Sequence, residues 1–154
     1  MSPPLKPEEI LEGLLRLDPT LRREPYYGER ALFYNPGGRA RLGTIFCSIK
    51  DRDGPNDKAS RLSRPGVYRF AFAMGEATFE RRFGPPPRRP SKGGQLAVPD
   101  HDLTRVNVLT PHPVYGWMRW VQILAPTAER FEDLRPLLLE SLAVVHEKYK
   151  RRPT

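Results

Sequence analysis

Gly66-Val67-Tyr68-Arg69-Phe70-Ala71-Phe72-Ala73-Met74 sets Tyr68, Phe70, Phe72 and Met74 on one side and Val67, Arg69, Ala71 and Ala73 on the other. A period of two with alternate aromatics is the signature of a β-strand with one face against a core. Upstream, Gly43-Thr44-Ile45-Phe46-Cys47-Ser48-Ile49-Lys50 alternates in the same way, so Ile45, Cys47 and Ile49 are expected inward. Ala31-Leu32-Phe33-Tyr34 is a third, short strand. Asn35-Pro36-Gly37-Gly38 follows it, a turn with two residues free to take positive φ, so these strands form a hairpin. Downstream, residues 117–124 read as another strand, ended by Ala125-Pro126. Short connections between successive strands imply antiparallel neighbours.

Helical spacing flanks and interrupts the strands. Over 8–17, Ile10, Leu11, Leu14, Leu15 and Leu17 give an apolar stripe, with Pro7 suited to the first helical position and Asp18-Pro19 ending it. Residues 76–83 form a short helix with Phe79 and Phe83 four apart. The last helix carries Phe131, Leu134, Leu138, Leu142, Val145 and Tyr149. Pro136 would break a helix interior, so this helix is expected to start near Glu132 or Asp133, after an irregular turn from Thr127. The fold class is therefore α+β: a mainly antiparallel sheet with N- and C-terminal helices packed on one face. Residues 1–154 read as one domain. Within it, 51–65 is a polar loop in which Asp57 or Ser60 should bond backbone, 84–99 is a Pro/Gly/Arg-rich loop, and 148–154 is a basic tail.

With 38% apolar residues a modest core forms, and no apolar run is long enough to span a bilayer. Met1-Ser2-Pro3-Pro4 has neither the basic nor the apolar region of a secretory signal, so a soluble cytoplasmic protein is the expectation, with no membrane partner. The single Cys47 excludes an internal disulfide framework and Cys-rich metal sites.

The net charge is +8, from 26 Lys and Arg against 18 Asp and Glu. Two stretches without any acid hold the excess. One is Arg81, Arg82, Arg88, Arg89 and Lys92; the other is Lys148, Lys150, Arg151 and Arg152. Localised cations are what a polyanion-binding surface needs, and nucleic acid is the first partner to consider. The plainer reading is a solvated basic surface, and arginine-heavy usage also fits a GC-rich genome.

Lys50-Asp51, Asp57, Ser60, Leu62, Arg64 to Arg69, Thr78-Phe79, Phe83-Gly84, Pro111-His112-Pro113-Val114-Tyr115 and Trp117 or Trp120 follow one another in a recognisable order. In this the chain resembles an uncharacterised bacterial family, domain of unknown function 6194, over most of its length. The resemblance implies no activity. The layout of sheet, Trp strand and last helix is also similar to the MmcQ/YjbR-like group, which implies DNA binding by analogy of fold only. The 84–99 insertion departs from the shorter loop of the family.

Six residues are candidates for a small-molecule or anion site. His112, held between two prolines with Tyr115 near, is a positioned imidazole; its plainer role is to shape a turn and cap a carbonyl. Lys50, Arg64 and Arg69 cluster around one strand–loop–strand unit. They can bind a carboxylate or phosphate, or pair with Asp51 and Asp57. Trp120, with Trp117, Tyr68, Phe70 and Phe72, offers a stacking platform or simply core.

Other motifs carry less. Asp100-His101-Asp102 with His112 has metal-ligand types without an established spacing, and Asp51 to Leu62 lacks the Gly and Glu of a calcium loop. Cys47 and the serines lack nucleophile contexts, and the paired glycines lack a phosphate-loop Lys. No catalytic residue, metal or cofactor is assigned. The leading expectation is a non-enzymatic binding domain. A pocket or enzyme around His112, Lys50 and Arg69, and a structural or dimerising module, are the alternatives.

Overall fold

The computed structural model describes residues 2–92 and 98–152. Pro7–Leu17 forms α1. Its proline sits where the missing N–H has no helical partner, and the Glu9 carboxylate accepts the Lys6 N–H at 2.9 Å. Six strands follow: β1 Leu21–Tyr26, β2 Glu29–Tyr34, β3 Thr44–Lys50, β4 Arg69–Ala73, β5 Thr110–Pro111 and β6 Trp120–Leu124. The helices α2 Glu76–Phe83, α3 Ala128–Asp133 and α4 Arg135–Lys150 complete the chain. All strand pairs are antiparallel, in the order β1-β2-β3-β4-β6-β5. The fold is α+β, with the Phe70 and Trp120 strands in one antiparallel sheet as expected, and neighbours within it.

The register decides what each face carries. Cys47 lies opposite Phe72, Ile49 opposite Phe70, and Phe72 and Phe70 opposite Val121 and Ile123. These side chains join Ile10, Leu11 and Leu14 of α1 and Leu138, Leu142 and Val145 of α4 in one core. The other face runs Ala31, Ser48, Ala71, Gln122 and Thr110 along one row, with Lys50 opposite Arg69 along the next. Alternation predicts this to be the less apolar and less buried side. Instead Ala31, Ser48, Ala71, Arg69 and Gln122 are all buried, and Phe46 is fully buried. The loops 51–68 and 98–119 lie on this face: Ser60 bonds Gln122, Gln122 bonds the Leu103 carbonyl, and Arg64 bonds the Thr104 carbonyl.

Two strands lie where none was expected, and two local expectations need correction. β1 has no counterpart in the sequence pattern; it is polar, and a Tyr27-Gly28 turn with both residues at positive φ joins it to β2. The short β5 falls in a stretch without strand periodicity. Trp117 and Met118 lie in a 3-10 turn, and β6 begins at Trp120 because Arg119 takes φ 66°. The stretch before α4 is a regular helix, α3, whose cap is the Thr127 hydroxyl accepting the Arg130 N–H; Pro136 sits in the first turn of α4, where its missing donor costs nothing. Residues 84–92 and 98–99 carry no helix or strand. Gly93 and Gly94, expected to keep that loop irregular, lie outside the described residues, as do the last two residues of the basic tail.

Candidate functional site

Register brings Lys50 and Arg69 side by side, and the loop between β3 and β4 delivers one carboxylate to both. Asp57 Oδ2 accepts from Lys50 Nζ at 2.9 Å and from Arg69 Nη1 at 2.5 Å, while Asp57 Oδ1 accepts from Arg69 Nη2 at 2.8 Å. Arg69, 1% exposed, also donates from Nε to Gln122 Oε1 and from Nη2 to Ser60 Oγ. Four of its five N–H groups therefore have protein acceptors. Burial alone would raise the Asp57 pKa, but the hydrogen bonds and charge of Arg69, then those of Lys50, hold it well below the usual carboxylate range. Asp57 and Ser60 thus bond side chains, not backbone. It is Asp53 that ties the loop, accepting the Leu62 N–H at 2.8 Å. Asp51 pairs with Arg30 and Arg52. Arg64 does not join the cluster: its guanidinium donates to the carbonyls of Arg61, Ser60 and Thr104 and pins two loops together.

His112 follows the edge strand β5, its N–H donating to the Trp120 carbonyl at 2.9 Å. Its Nδ1 accepts the backbone N–H groups of Val114 at 3.0 Å and Tyr115 at 3.1 Å, so the ring caps amides, not the carbonyl expected of it. That arrangement requires the proton on Nε2. Burial, then the positive charges of Arg69 and Lys50, push the imidazole pKa well down, with Asp57 opposing. His112 is therefore a neutral donor at physiological pH. The Tyr115 ring lies 5.0 Å from it, and burial together with the charges of Glu29 and Asp57 raises the phenol pKa. Trp120 does not converge here; it lies opposite Ala73, four residues along β4 from Arg69. Among the described residues no group of three His, Cys, Asp or Glu side chains is placed to hold a metal.

A second constellation is only half visible in the sequence. The β2–β3 loop and the end of α4 enclose an open groove of about 630 Å³ lined by Tyr34, Pro36, Arg39, Ala40, Arg41, Tyr149, Lys150 and Arg152. Four cations line it and no acid does. Its walls are braced. Asn35 is buried and bonds Ala40 twice, through its Nδ2 to the carbonyl and through its Oδ1 to the N–H. The Tyr149 hydroxyl donates to Asn35 Oδ1 at 3.0 Å, and Arg152 Nη1 to the Gly43 carbonyl at 2.7 Å. Gly43 is obligatory: at φ 95° an added Cβ would come within 2.3 Å of the Tyr34 carbonyl oxygen. Arg39 and Arg41 escape a sequence reading because they are scattered among polar and glycine residues, and only the register of the hairpin sets them against the tail. Lys150 and Arg152 come from the expected basic tail; Lys148 and Arg151 do not line the groove.

The 81–92 stretch contributes nothing to this groove. Arg81 bonds Thr78, Arg89 lies over Trp117 at 4.5 Å, and Arg82, Arg88 and Lys92 are exposed. The α2 acids Glu76 and Glu80 hold Arg119 beside them.

A family model described as a family of unknown function, DUF6194, matches residues 5–154. The chain belongs to that family. In this DUF6194 protein the residues that carried the resemblance, Lys50, Asp57, Ser60 and Arg69, form a single network, with Pro111 to Tyr115 as its neighbour. No curated protein and no solved structure matches the chain.

Proposed function

We propose that this protein is a non-enzymatic binding module whose partner is a phosphate-bearing polyanion, nucleic acid first, held in the groove between the β2–β3 loop and the end of α4. The carrying observation is the charge of that groove: Arg39, Arg41, Lys150 and Arg152 converge on it with no acid among the lining residues. Guanidinium groups suit phosphate oxygens because their paired N–H donors match them. The layout similarity to the MmcQ/YjbR-like group points the same way.

The contact is to phosphates rather than bases. The Tyr34 ring is stacked on His146 at 4.1 Å and packed edge-to-face with Tyr149 at 5.2 Å, so both rings are already engaged with protein aromatics. Binding is then weakly sequence-dependent and strongly salt-dependent.

The test is a salt titration on one DNA duplex. Arg39→Ala with Arg41→Ala should flatten the slope of log K against log salt by about 0.9 for each phosphate that is no longer neutralised. Replacing Arg81, Arg82, Arg88 and Arg89 together by Ala should leave most of the slope. Absence of wild-type binding at low salt overturns the proposal. A full slope in the Arg39/Arg41 variant moves the binding surface elsewhere and overturns the groove.

A further inference from the structure

We infer that the cleft between α1 and the α3–α4 pair is a ligand site, separate from the basic groove, and that its ligand is a short apolar peptide with both termini free. The cleft encloses about 570 Å³ and shares no lining residue with the basic groove. That volume falls within the range of small-molecule sites. α1 runs alongside α3 and α4 in the same direction. Leu5 donates its N–H to the Pro126 carbonyl just before α3, and Asp18, just after α1, meets His146 of α4. Leu14 and Leu138, both buried, line the cleft with the partly buried Leu5, Leu17 and Phe131 and give it an apolar floor.

Gly13 keeps the cleft open. It sits inside α1, where glycine weakens a helix relative to alanine. Packing does not demand it: a Cβ there would meet its nearest neighbour, Phe131 Cε2, at 3.6 Å, which is ordinary contact. A longer side chain would occupy the space beside Phe131. A glycine that neither helix stability nor packing calls for, on the wall of a cleft, fits a place where a ligand comes close to the backbone.

The charges choose the ligand. Glu9 and Glu132 line the cleft with Arg16 and Arg135, so it is neutral overall and carries both signs. None of the four has an ion pair among the described residues. An anion is repelled by the two acids and a cation by the two arginines, whereas a zwitterion satisfies both. The charged heads also set a length. Glu9 Oε1 is anchored on the Lys6 N–H at 2.9 Å, which leaves Oε2 for a ligand, and Arg16 Nη2 folds back over Gly13, 3.9 Å from the Cβ position. From Lys6 to Gly13 is about 10 Å along the helix axis. Three extended residues span about the same length. An ammonium on Glu9 and a carboxylate on Arg16 and Arg135 therefore lay the side chains of an apolar tripeptide over the leucine floor.

Leucyl-alanyl-leucine is the probe and isothermal titration calorimetry the measurement, with leucine-methyl NMR to locate it. Wild-type protein should bind it saturably, with shifts at Leu5, Leu14 and Leu17. The N-acetyl form, the C-terminal amide and free leucine should each bind about tenfold more weakly. In the Arg16→Gln, Arg135→Gln double variant the free peptide should fall to the affinity of its amide. In Glu9→Gln, which keeps an oxygen for the Lys6 N–H, it should lose most of its advantage over the acetylated form. Gly13→Leu should abolish binding without lowering the melting temperature, since leucine is the better helix former.

No saturable binding, an acetylated or amidated peptide that binds as tightly as the free one, or a folded Gly13→Leu protein that binds like wild type each overturns the proposal. So does sedimentation of wild-type protein alone as a dimer that Gly13→Leu converts to a monomer, because the cleft then belongs to a second copy. If Gly13→Leu does not fold, the peptide series on wild-type protein decides alone. Gly13→Leu should leave the DNA salt slope untouched, so this site and the nucleic-acid reading fail separately.

Discussion

Arg69 is the residue on which the loop side of the sheet depends. A fully buried guanidinium is tolerable only because Asp57, Ser60 and Gln122 meet it. Removing the carboxylate leaves two cations, Arg69 and Lys50, facing each other with no counter-charge between them. Asp57→Asn should therefore cost about 3–5 kcal/mol by urea denaturation, far above the ~0–1 kcal/mol of an exposed pair such as Arg23–Glu8. Arg69→Met in the Asp57→Asn background should recover part of that loss; strictly additive effects would mean the pair is not coupled. Gly43 is the equivalent on the groove side. Gly43→Ala forces a Cβ onto the Tyr34 carbonyl at positive φ, so about 1–3 kcal/mol of destabilisation is expected. DNA binding should weaken alongside, since the same turn carries the Gly43 carbonyl that holds Arg152.

Elements that announce themselves have a dense apolar period. β4 and α2 are legible because every second residue of one, and every fourth of the other, is a large aromatic, and burying those rings leaves little choice of conformation. β1 is illegible for the opposite reason: Leu21-Arg22-Arg23-Glu24-Pro25-Tyr26 has one buried residue, and its strand conformation comes from pairing with β2. Ser48 and Gln122 show the limit of alternation. They read as the outward face, and loops far away in sequence cover them, which no local pattern encodes. Lys50, Arg69 and His112 are visible as residue types; the Asp57 carboxylate that joins Lys50 to Arg69, the amides that orient the imidazole and the Arg39–Arg41 wall of the groove depend on register. α3 and α4 carry an element-scale prediction. Pro136 sits where α4 starts, so its ring stiffens the unfolded chain without breaking a helical bond. Pro136→Ala should cost no more than about 1 kcal/mol and leave helix content unchanged by circular dichroism. Leu138→Pro, further into the helix, should cost about 3 kcal/mol or more.

The whole molecule should be acid-labile in two separable steps, because the two buried groups that titrate on the acid side, His112 and Asp57, are both shifted down. The His112 pKa is depressed in the folded protein, so below the ordinary imidazole value of about 6.5 the unfolded chain takes up a proton that the native chain refuses. Its contribution is complete above pH ~6.5 and is lost as pH falls towards the folded value, by up to ~1.4 kcal/mol per pH unit. Asp57 follows the same sign at lower pH. It remains ionised in the fold when the unfolded carboxylate protonates near pH 3.8, so its contribution is intact above that value and drains away below it. Asp18, lowered by Thr20 and His146 against the opposing effect of its burial, adds to this second window, as do the exposed Asp102 and Glu129. Urea midpoints measured from pH 8 to pH 3 should therefore fall from about pH 6.5 and fall more steeply below about pH 4. His112→Asn should flatten the upper part and leave the lower part in place, because Asn keeps the amide cap without titrating. A wild-type profile that is level between pH 6.5 and pH 4.5 would mean that His112 can be protonated in the fold. The imidazole would then not be held neutral by its burial and by the amides on its Nδ1.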